Sequence, residues 1–399
     1  MSSQMSSGPD SMKPTPGHSS GKEPWRYRGA RAARGIVGLL RTRYPRFLFG
    51  LAPAAGEIPV FIFHEVRAEV FARQVEFLHG NGYRTLSVAE FLALSARKGG
   101  PRGGRHVLLT FDDARLNFHQ IALPVLRATG AHAALFAPTL WMDNSGPPGA
   151  ERFMDWAQLR ECVESGLVDV GSHAHRHALV FDGDRLAGFA TPWLLERYDI
   201  YDWPMRHGAG GDHLGRPQPG TPIYDATPLL SARSRYLESE ALRTACTELV
   251  ERSGGDTFFA RPDCYSLLTR LHRSLASSLR GRFASARELE ALVASEFELS
   301  RAAFEEHLGF APTAFAYPWA LGSPLSIRMA RRFGIRCLFG VATDYGRSRA
   351  LRRAGGEPQV FGRMKSDWLE LLPGRNRARL LPVLARKVAA FAGQQHLAH

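Results

Sequence analysis

Two neighbouring carboxylates and a short run of histidines are the side chains in this sequence whose types and spacing suit chemistry. Asp112 and Asp113 follow the apolar run 107–111, and His173, His175 and His177 follow a second apolar run, 167–170. Adjacent residues of an extended chain point in opposite directions, so one aspartate can bind a metal while the other stays free as a base. His173 and His177 are four apart, the spacing that lets two imidazoles meet one cation on a helical turn, with His175 between them as a rival ligand. Two histidines and one carboxylate form a common ligand set for a catalytic Zn²⁺ or similar divalent ion. Such an ion polarises an acyl oxygen and acidifies water, and a free aspartate beside it takes a proton from the attacking water. The chemistry implied is metal-assisted hydrolysis of an amide or ester. Alone, an Asp-Asp pair reads more readily as a helix cap or a surface pair. The joint occurrence of both groups at strand ends carries the reading.

The elements that must position these groups alternate in type. Strand-like runs at 59–63, 83–86, 107–111, 133–137 and 167–170 are separated by helical patterns at 71–82, 87–92, 121–129 and 156–165. Ser87 caps one of these helices, with Glu90 at capping-box spacing. Strand and helix in regular alternation imply parallel strands joined by right-handed crossovers, whose carboxyl ends share one face. The alternation breaks after His177. Residues 178–285 read as an insertion, mostly helix and loop, with helices expected at 237–252 and 265–279 and a glycine- and proline-rich loop at 181–225. Its Trp193, Tyr201, Trp203 and Tyr224 either stack on a ligand such as a sugar ring or form the insertion's own core. A helix at 287–308, a strand from Ala314 stopped by Pro318, a helix at 327–333, strands at 335–341 and 358–364, and a helical stretch at 369–391 complete the chain.

Composition sets the class. The chain has 399 residues, 44% hydrophobic and 22% charged, which suits a globular protein with a large core. Its formal charge of +13 is concentrated near the N-terminus, where Lys22, Arg26, Arg28, Arg31, Arg34, Arg41, Arg43 and Arg46 face Glu23 alone. Without a nucleic-acid module this distribution argues against nucleic-acid binding. Residues 1–24 read as a disordered tail. Residues 25–57 read as a basic amphipathic arm, in which 25–51 lies on anionic lipid, stays solvated, or packs against the domain that occupies 58–399. The four cysteines form no C-x-x-C pair, and the apolar stretch 35–51 is interrupted by arginines, so the expected compartment is the cytoplasm, extending to the inner face of the membrane.

In Thr110-Phe111-Asp112-Asp113, in Ser172-His173 through His177, and in Phe315-Ala316-Tyr317-Pro318 the chain resembles the polysaccharide deacetylase family (carbohydrate esterase family 4, the group that includes nodulation chitooligosaccharide deacetylase). The resemblance extends over residues 58–177 and 286–365. It implies an α/β fold, a distorted (β/α) barrel with about seven strands. It also implies that Asp113, His173 and His177 hold the metal, Zn²⁺ first and Co²⁺ or a similar ion next, that Asp112 is the base, and that Tyr317 offers its backbone N–H to the oxyanion. There are departures. Ala114 stands where a glycine is usual, and Ala316 stands where many members have an arginine that orients the base, which makes Arg363 the candidate for that task. The late Leu-x-x-His motif that supplies a general acid is not recognisable. Among His64, His175, His207 and His213, His64 is the first choice because it ends a strand. The implied activity is removal of an acyl group, acetyl first, from an amino sugar of a surface or lipid-linked glycan. The alternatives are hydrolysis of a non-sugar C–N bond, and a glycan-binding module that has lost catalysis.

Overall fold

The computed structural model describes residues 45–49, 57–97, 105–142, 152–341 and 358–391. Up to the histidine run the chain order is β1 (Val60–Phe63), α1 (Ala68–Gly80), β2 (Tyr83–Thr85), α2 (Val88–Ala96), β3 (Arg105–Phe111), α3 (Leu123–Thr129), β4 (Ala133–Ala137), α4 (Trp156–Glu164) and β5 (Val168–Ser172). After the insertion come α8 (Ala286–Leu308), β12 (Ala314–Ala316), α9 (Pro324–Arg332), β13 (Cys337–Val341), β14 (Gln359–Lys365) and α10 (Leu380–Phe391). Hydrogen bonding runs β1-β14-β13-β12-β5-β4-β3, and β3 returns to β1, so seven parallel strands close into a ring. This is the distorted (β/α) barrel that the sequence led us to expect. β2 pairs only with the first residues of β3, Tyr83 with Arg105 through Thr85 with Val107, and stays outside the ring.

Side chains alternate inward and outward along each strand. Phe61, Phe63, Leu109, Phe111, Leu135 and Ala137 pack outward in one buried cluster with helix residues Phe71, Val75, Leu78 and Leu126. Val60, Leu108, Ala134, Phe136, Ala314, Ala316, Cys337, Phe339 and Phe361 form the interior. Leu86, Val88 and Phe91 join that interior cluster, so α2 plugs the end of the barrel opposite the strands' carboxyl ends. Ser87 and Glu90 fix the start of α2 with the expected reciprocal capping box. The filled lower barrel leaves the carboxyl-end rim as the place where polar side chains can converge. The four cysteines are buried and unpaired.

The insertion, 178–285, is helical and irregular for most of its length but also carries a sheet where a loop is expected at 181–225. The sheet is ordered β8-β7-β6-β9, from β6 (Leu179–Phe189), β7 (Pro204–Gly208), β8 (Gly211–His213) and β9 (Pro222–Pro228), with α5 (Pro192–Arg197) between β6 and β7. The alternation of β6 is hidden by Asp182-Gly183-Asp184-Arg185, where its register with β9 shifts. A short ladder, β10 (Tyr236–Leu237) with β11 (Arg282–Phe283), and the helices α6 (Glu240–Arg252) and α7 (Cys264–Leu275) complete it. Trp203 and Tyr224 belong to the insertion's own core, whereas Trp193 is exposed on α5.

Most of the expected tail and arm, 1–57, lies outside the described residues. Phe47 and Leu48, in the segment that the sequence left open between a lipid surface and packing on the domain, are buried against the outer core of the barrel, and Arg377 donates a hydrogen bond of 2.7 Å to the Phe47 carbonyl. The helical stretch expected at 369–391 breaks at Pro373-Gly374, leaving a 3₁₀ turn, Ser366–Leu371, before α10. Among the described residues no helix is long and apolar enough to cross a membrane.

One glycine on β5 tests the packing under the rim. A Cβ at Gly171 would lie 2.7 Å from both the Ala314 carbonyl oxygen and Phe136 Cε1. Gly171→Ala is expected to destabilise the fold by about 1–3 kcal/mol, the range for overpacking a filled core. The measurement is a thermal or denaturant unfolding curve, and an unchanged midpoint would show that the interior is looser than described.

Candidate active site

Asp112 and Asp113 leave β3 at the rim, and the backbone enforces their divergence. Asp113 has φ 73° and Ala114 φ 47°, left-handed values that bulky residues rarely adopt. The glycine usual at position 114 would relieve part of this strain, and the chain tolerates alanine there at some cost. Asp112 continues the inward alternation of Leu108 and Thr110, while Asp113 turns to the histidines.

Asp113 Oδ1 lies 3.4 Å from His173 Nε2 and 3.4 Å from His177 Nε2. One ligand atom from each of the three residues falls within 4.8 Å of the others, and all three residues are buried. His173 donates from Nδ1 to the Ala316 carbonyl oxygen at 2.8 Å, which leaves the Nε2 lone pair facing Asp113. The donor set, its burial and this tautomer fit a divalent ion. The reason for the convergence differs from the helical spacing expected. Residues 173–178 form a turn, with Ala174 at φ 70° and His177 at φ 49°, and this reversal brings the two rings to a centroid separation of 4.8 Å.

The turn is held from outside. Glu296 on α8 is buried and accepts hydrogen bonds from the backbone N–H groups of His175 (3.0 Å) and Arg176 (2.8 Å), and from Arg176 Nη1 (2.6 Å). Sequence reasoning missed this residue, although a signal was present. Glu296 falls in the buried stripe of α8 with Leu289, Val293, Phe297 and Ser300, where a carboxylate needs a partner. His175 is no rival ligand. It points away, with Nδ1 2.9 Å from Thr139 Oγ1, and burial, with Arg176 beside it, lowers its pKa to about 4.

Arg363, on β14, is 1% exposed and meets Asp112 with two parallel hydrogen bonds, Nη1 to Oδ1 at 2.6 Å and Nη2 to Oδ2 at 2.7 Å. Burial alone would raise the pKa of Asp112, but Arg363 and His173 outweigh it and hold the carboxyl below the usual range. Asp113 is likewise pushed down, against burial, by His173 and His177. The two histidines split. Burial opposes charge on both, yet Asp112 and Asp113 raise the pKa of His173, whereas burial and the neighbouring His173 lower that of His177 to about 3.

Tyr317 does not hold the place expected of it. Its backbone N–H donates to the Phe339 carbonyl oxygen at 2.9 Å, continuing the β12–β13 ladder, and so is not free for an acyl oxygen. Its ring is buried, and its hydroxyl accepts a 3.3 Å hydrogen bond from Ser326. His64 follows β1, exposed on the same rim, and lies near enough to help lower the pKa of both Asp112 and Asp113. His207 and His213 belong to the β7–β8 hairpin of the insertion, where His207 pairs with Asp212 at 3.1 Å.

The site thus combines an ionised carboxylate held by an arginine with a buried Asp-His-His set. Residues 99–188 match the family model described as polysaccharide deacetylase. Over that stretch, less than a quarter of its length, the chain is similar to the polysaccharide deacetylase family. Over 121 residues it is 32% identical to the poly-beta-1,6-N-acetyl-D-glucosamine N-deacetylase of Escherichia coli (strain K12), a match covering 28% of this chain and 18% of that protein. The chain therefore spans less than a fifth of the length of that curated relative. Solved structures similar to it include IcaB from Ammonifex degensii, at 20% identity and TM-score 0.46 over 80% of this chain and 95% of that one. The BpsB deacetylase domain from Bordetella bronchiseptica matches at 19% identity and TM-score 0.45, over 79% and 91% respectively.

Removing the Asp112 partner tests the electrostatics. With Arg363→Met, burial acts on Asp112 unopposed by the guanidinium, so its pKa rises and a smaller fraction is ionised at any given pH. The acidic limb of the pH profile for amide hydrolysis is expected to move to higher pH by at least about one unit. An unmoved limb, with the metal still bound, would show that Asp112 is not the titrating base.

Proposed function

We propose that this protein is a metal-dependent N-deacetylase that hydrolyses the acyl amide of an amino sugar in a surface or lipid-linked glycan. The observation that carries the reading is the buried Arg363–Asp112 pair set beside the Asp113, His173 and His177 donors. The match to the polysaccharide deacetylase family model and the amino-sugar polymer named for the E. coli relative support the substrate class.

A divalent ion held by Asp113, His173 and His177, with Zn²⁺ first and Co²⁺ next, would supply a Lewis acid for the amide oxygen and the attacking water. Asp112 accepts the proton that water loses as its oxygen adds to the acyl carbon. Arg363 keeps that carboxylate ionised and fixes both its oxygens, the task that Ala316 cannot perform. As the tetrahedral carbon collapses, the C–N bond breaks and the amine leaves with a proton, which His64 supplies from the open rim. Acetate and the free amino sugar result. An arginine on Asp112 supplies one of the two groups whose absence favours a site that has lost catalysis, the other being the general acid. The basic segment 25–51 carries a further part of the proposal, a peripheral contact with anionic lipid at the cytoplasmic face of the membrane. With Phe47 and Leu48 in the core, that contact rests on the residues before 45.

The test measures bound metal and acetate release from N-acetylglucosamine oligomers and non-sugar amides. Wild type is expected to retain metal and release acetate from the oligomers. Asp113→Ala is expected to lose both properties. Asp112→Asn should keep metal but lose about 10²–10⁴ in rate, the usual contribution of a general base. A wild-type protein without metal, or Asp112→Asn turning over at the wild-type rate, would sink the proposal.

A further inference from the structure

Three ligand side chains need three means of orientation, and the barrel supplies only one of them directly. His173 is fixed by its Nδ1 hydrogen bond to Ala316, whereas His177 Nδ1 is buried and hydrogen-bonds to no other residue among those described. Ligating histidines ordinarily owe their orientation to such a bond on the second nitrogen. With no such partner from another residue, packing orients the His177 ring. Its ring stacks on Tyr201 at a centroid distance of 3.9 Å and an interplanar angle of 22°, and meets Trp319 at 4.3 Å.

Tyr201 comes from the insertion and is itself immobilised. It packs edge-on to Trp141 at 5.2 Å and against Phe153 at 5.2 Å, and Trp141 Nε1 donates to the Arg176 carbonyl oxygen at 2.8 Å, tying this wall to the histidine turn. The third ligand has a similar link. The outer oxygen of Asp113, Oδ2, lies 4.0 Å from Arg115 Nε, and Asp199 of the insertion holds Arg115 Nη2 at 2.8 Å. The Arg115 guanidinium lies over the Phe153 ring at 4.3 Å and the Tyr201 ring at 5.0 Å. Asp199 also caps the turn Ile200–Asp202, receiving the Ile200 N–H at 2.6 Å, while its own N–H donates to Asp202 at 3.2 Å. The two anchoring side chains are thus two residues apart on one pre-formed turn.

We infer that Tyr201 and Asp199 are positioning residues of the metal site, Tyr201 by stacking on His177 and Asp199 by holding Arg115 against the outer oxygen of Asp113. The insertion is then a structural part of the site as well as its neighbour. This rests on the reading of Asp113, His173 and His177 as metal ligands. It adds that two of those three are oriented by a segment outside the barrel.

The test uses the full chain stripped of metal, with Zn²⁺ affinity measured by competition against a chromophoric chelator and the unfolding midpoint of the metal-free protein recorded alongside. Tyr201→Leu, which removes the stacked ring, is expected to bind Zn²⁺ about tenfold or more weakly, the low end for loss of a partner behind a ligand. Tyr201→Phe keeps the ring and is expected to recover most of that loss. Asp199→Asn, which removes the charge that holds Arg115, is expected to weaken binding in the same direction. Arg280→Ala, at the insertion surface where Arg280 pairs with Asp184, is expected to match wild type. If Tyr201→Leu does not fold, Asp199→Asn and Tyr201→Phe decide. Wild-type affinity in Asp199→Asn, or equal affinities for Tyr201→Leu and Tyr201→Phe, would overturn the inference while leaving the metal reading intact. No Zn²⁺ affinity in the wild-type protein would overturn both.

Discussion

A carboxylate buried at the top of a barrel stays charged only if a cation meets it, and in this protein Arg363 meets Asp112 with both ends of its guanidinium. The rest of the site depends on that pair. It fixes Asp112 where the backbone has turned it from its neighbour, so that one aspartate remains an ionised carboxylate while the other faces two imidazoles. It also adds a fixed positive charge close to His173, which shares the carboxylate's field. A lone buried carboxylate would take up a proton instead, and a protonated acid cannot take one from water.

The pair exists because the sheet closes. Asp112 and Arg363 are 251 residues apart, but β1 lies between their strands, pairing Ile62 with Thr110 on one side and Phe61 with Met364 on the other. That register sends Thr110, Asp112 and Arg363 to the interior, above a floor of Phe136, Phe339 and Phe361. At the rim the backbone leaves regular geometry at Asp113, Ala114, Ala174, His177, Trp319 and Ala320, all with positive φ. Clusters of such residues are where folds hold side chains in orientations that regular strands cannot offer. The filled barrel beneath and Glu296, Trp141 and Tyr201 around the rim keep these turns in place.

How much of this could be read from the sequence depended on distance along the chain. The strands, the capping box at Ser87 and Glu90, and the Asp-His-His set were legible, because each rests on a local pattern. Arg363 was legible only as a candidate, since nothing local says which distant strand borders β3. Position 317 misled for the same reason. A motif indicates that a backbone N–H lies near the site, but the β12–β13 ladder decides where that N–H points. Glu296 carried a local signal, a carboxylate in an apolar helical stripe, and Tyr201 stood out only as an insertion aromatic for a ligand or a core, whereas Arg115 and Asp199 carried none. Their roles arise from an insertion folding back onto the rim. The sheet in that insertion was hidden because Asp182, Gly183, Asp184 and Arg185 interrupt the alternation of β6.

The division of labour between the two aspartates is the central claim, and locating a bound ion tests it most directly. Anomalous diffraction from crystals of the Zn²⁺-loaded protein is predicted to show one ion at about 2.0–2.2 Å from Asp113, His173 Nε2 and His177 Nε2. Asp112 is predicted to retain both hydrogen bonds to Arg363 and to lie outside the ligand set. An ion ligated by Asp112, or one that sits away from these three residues, would contradict the account.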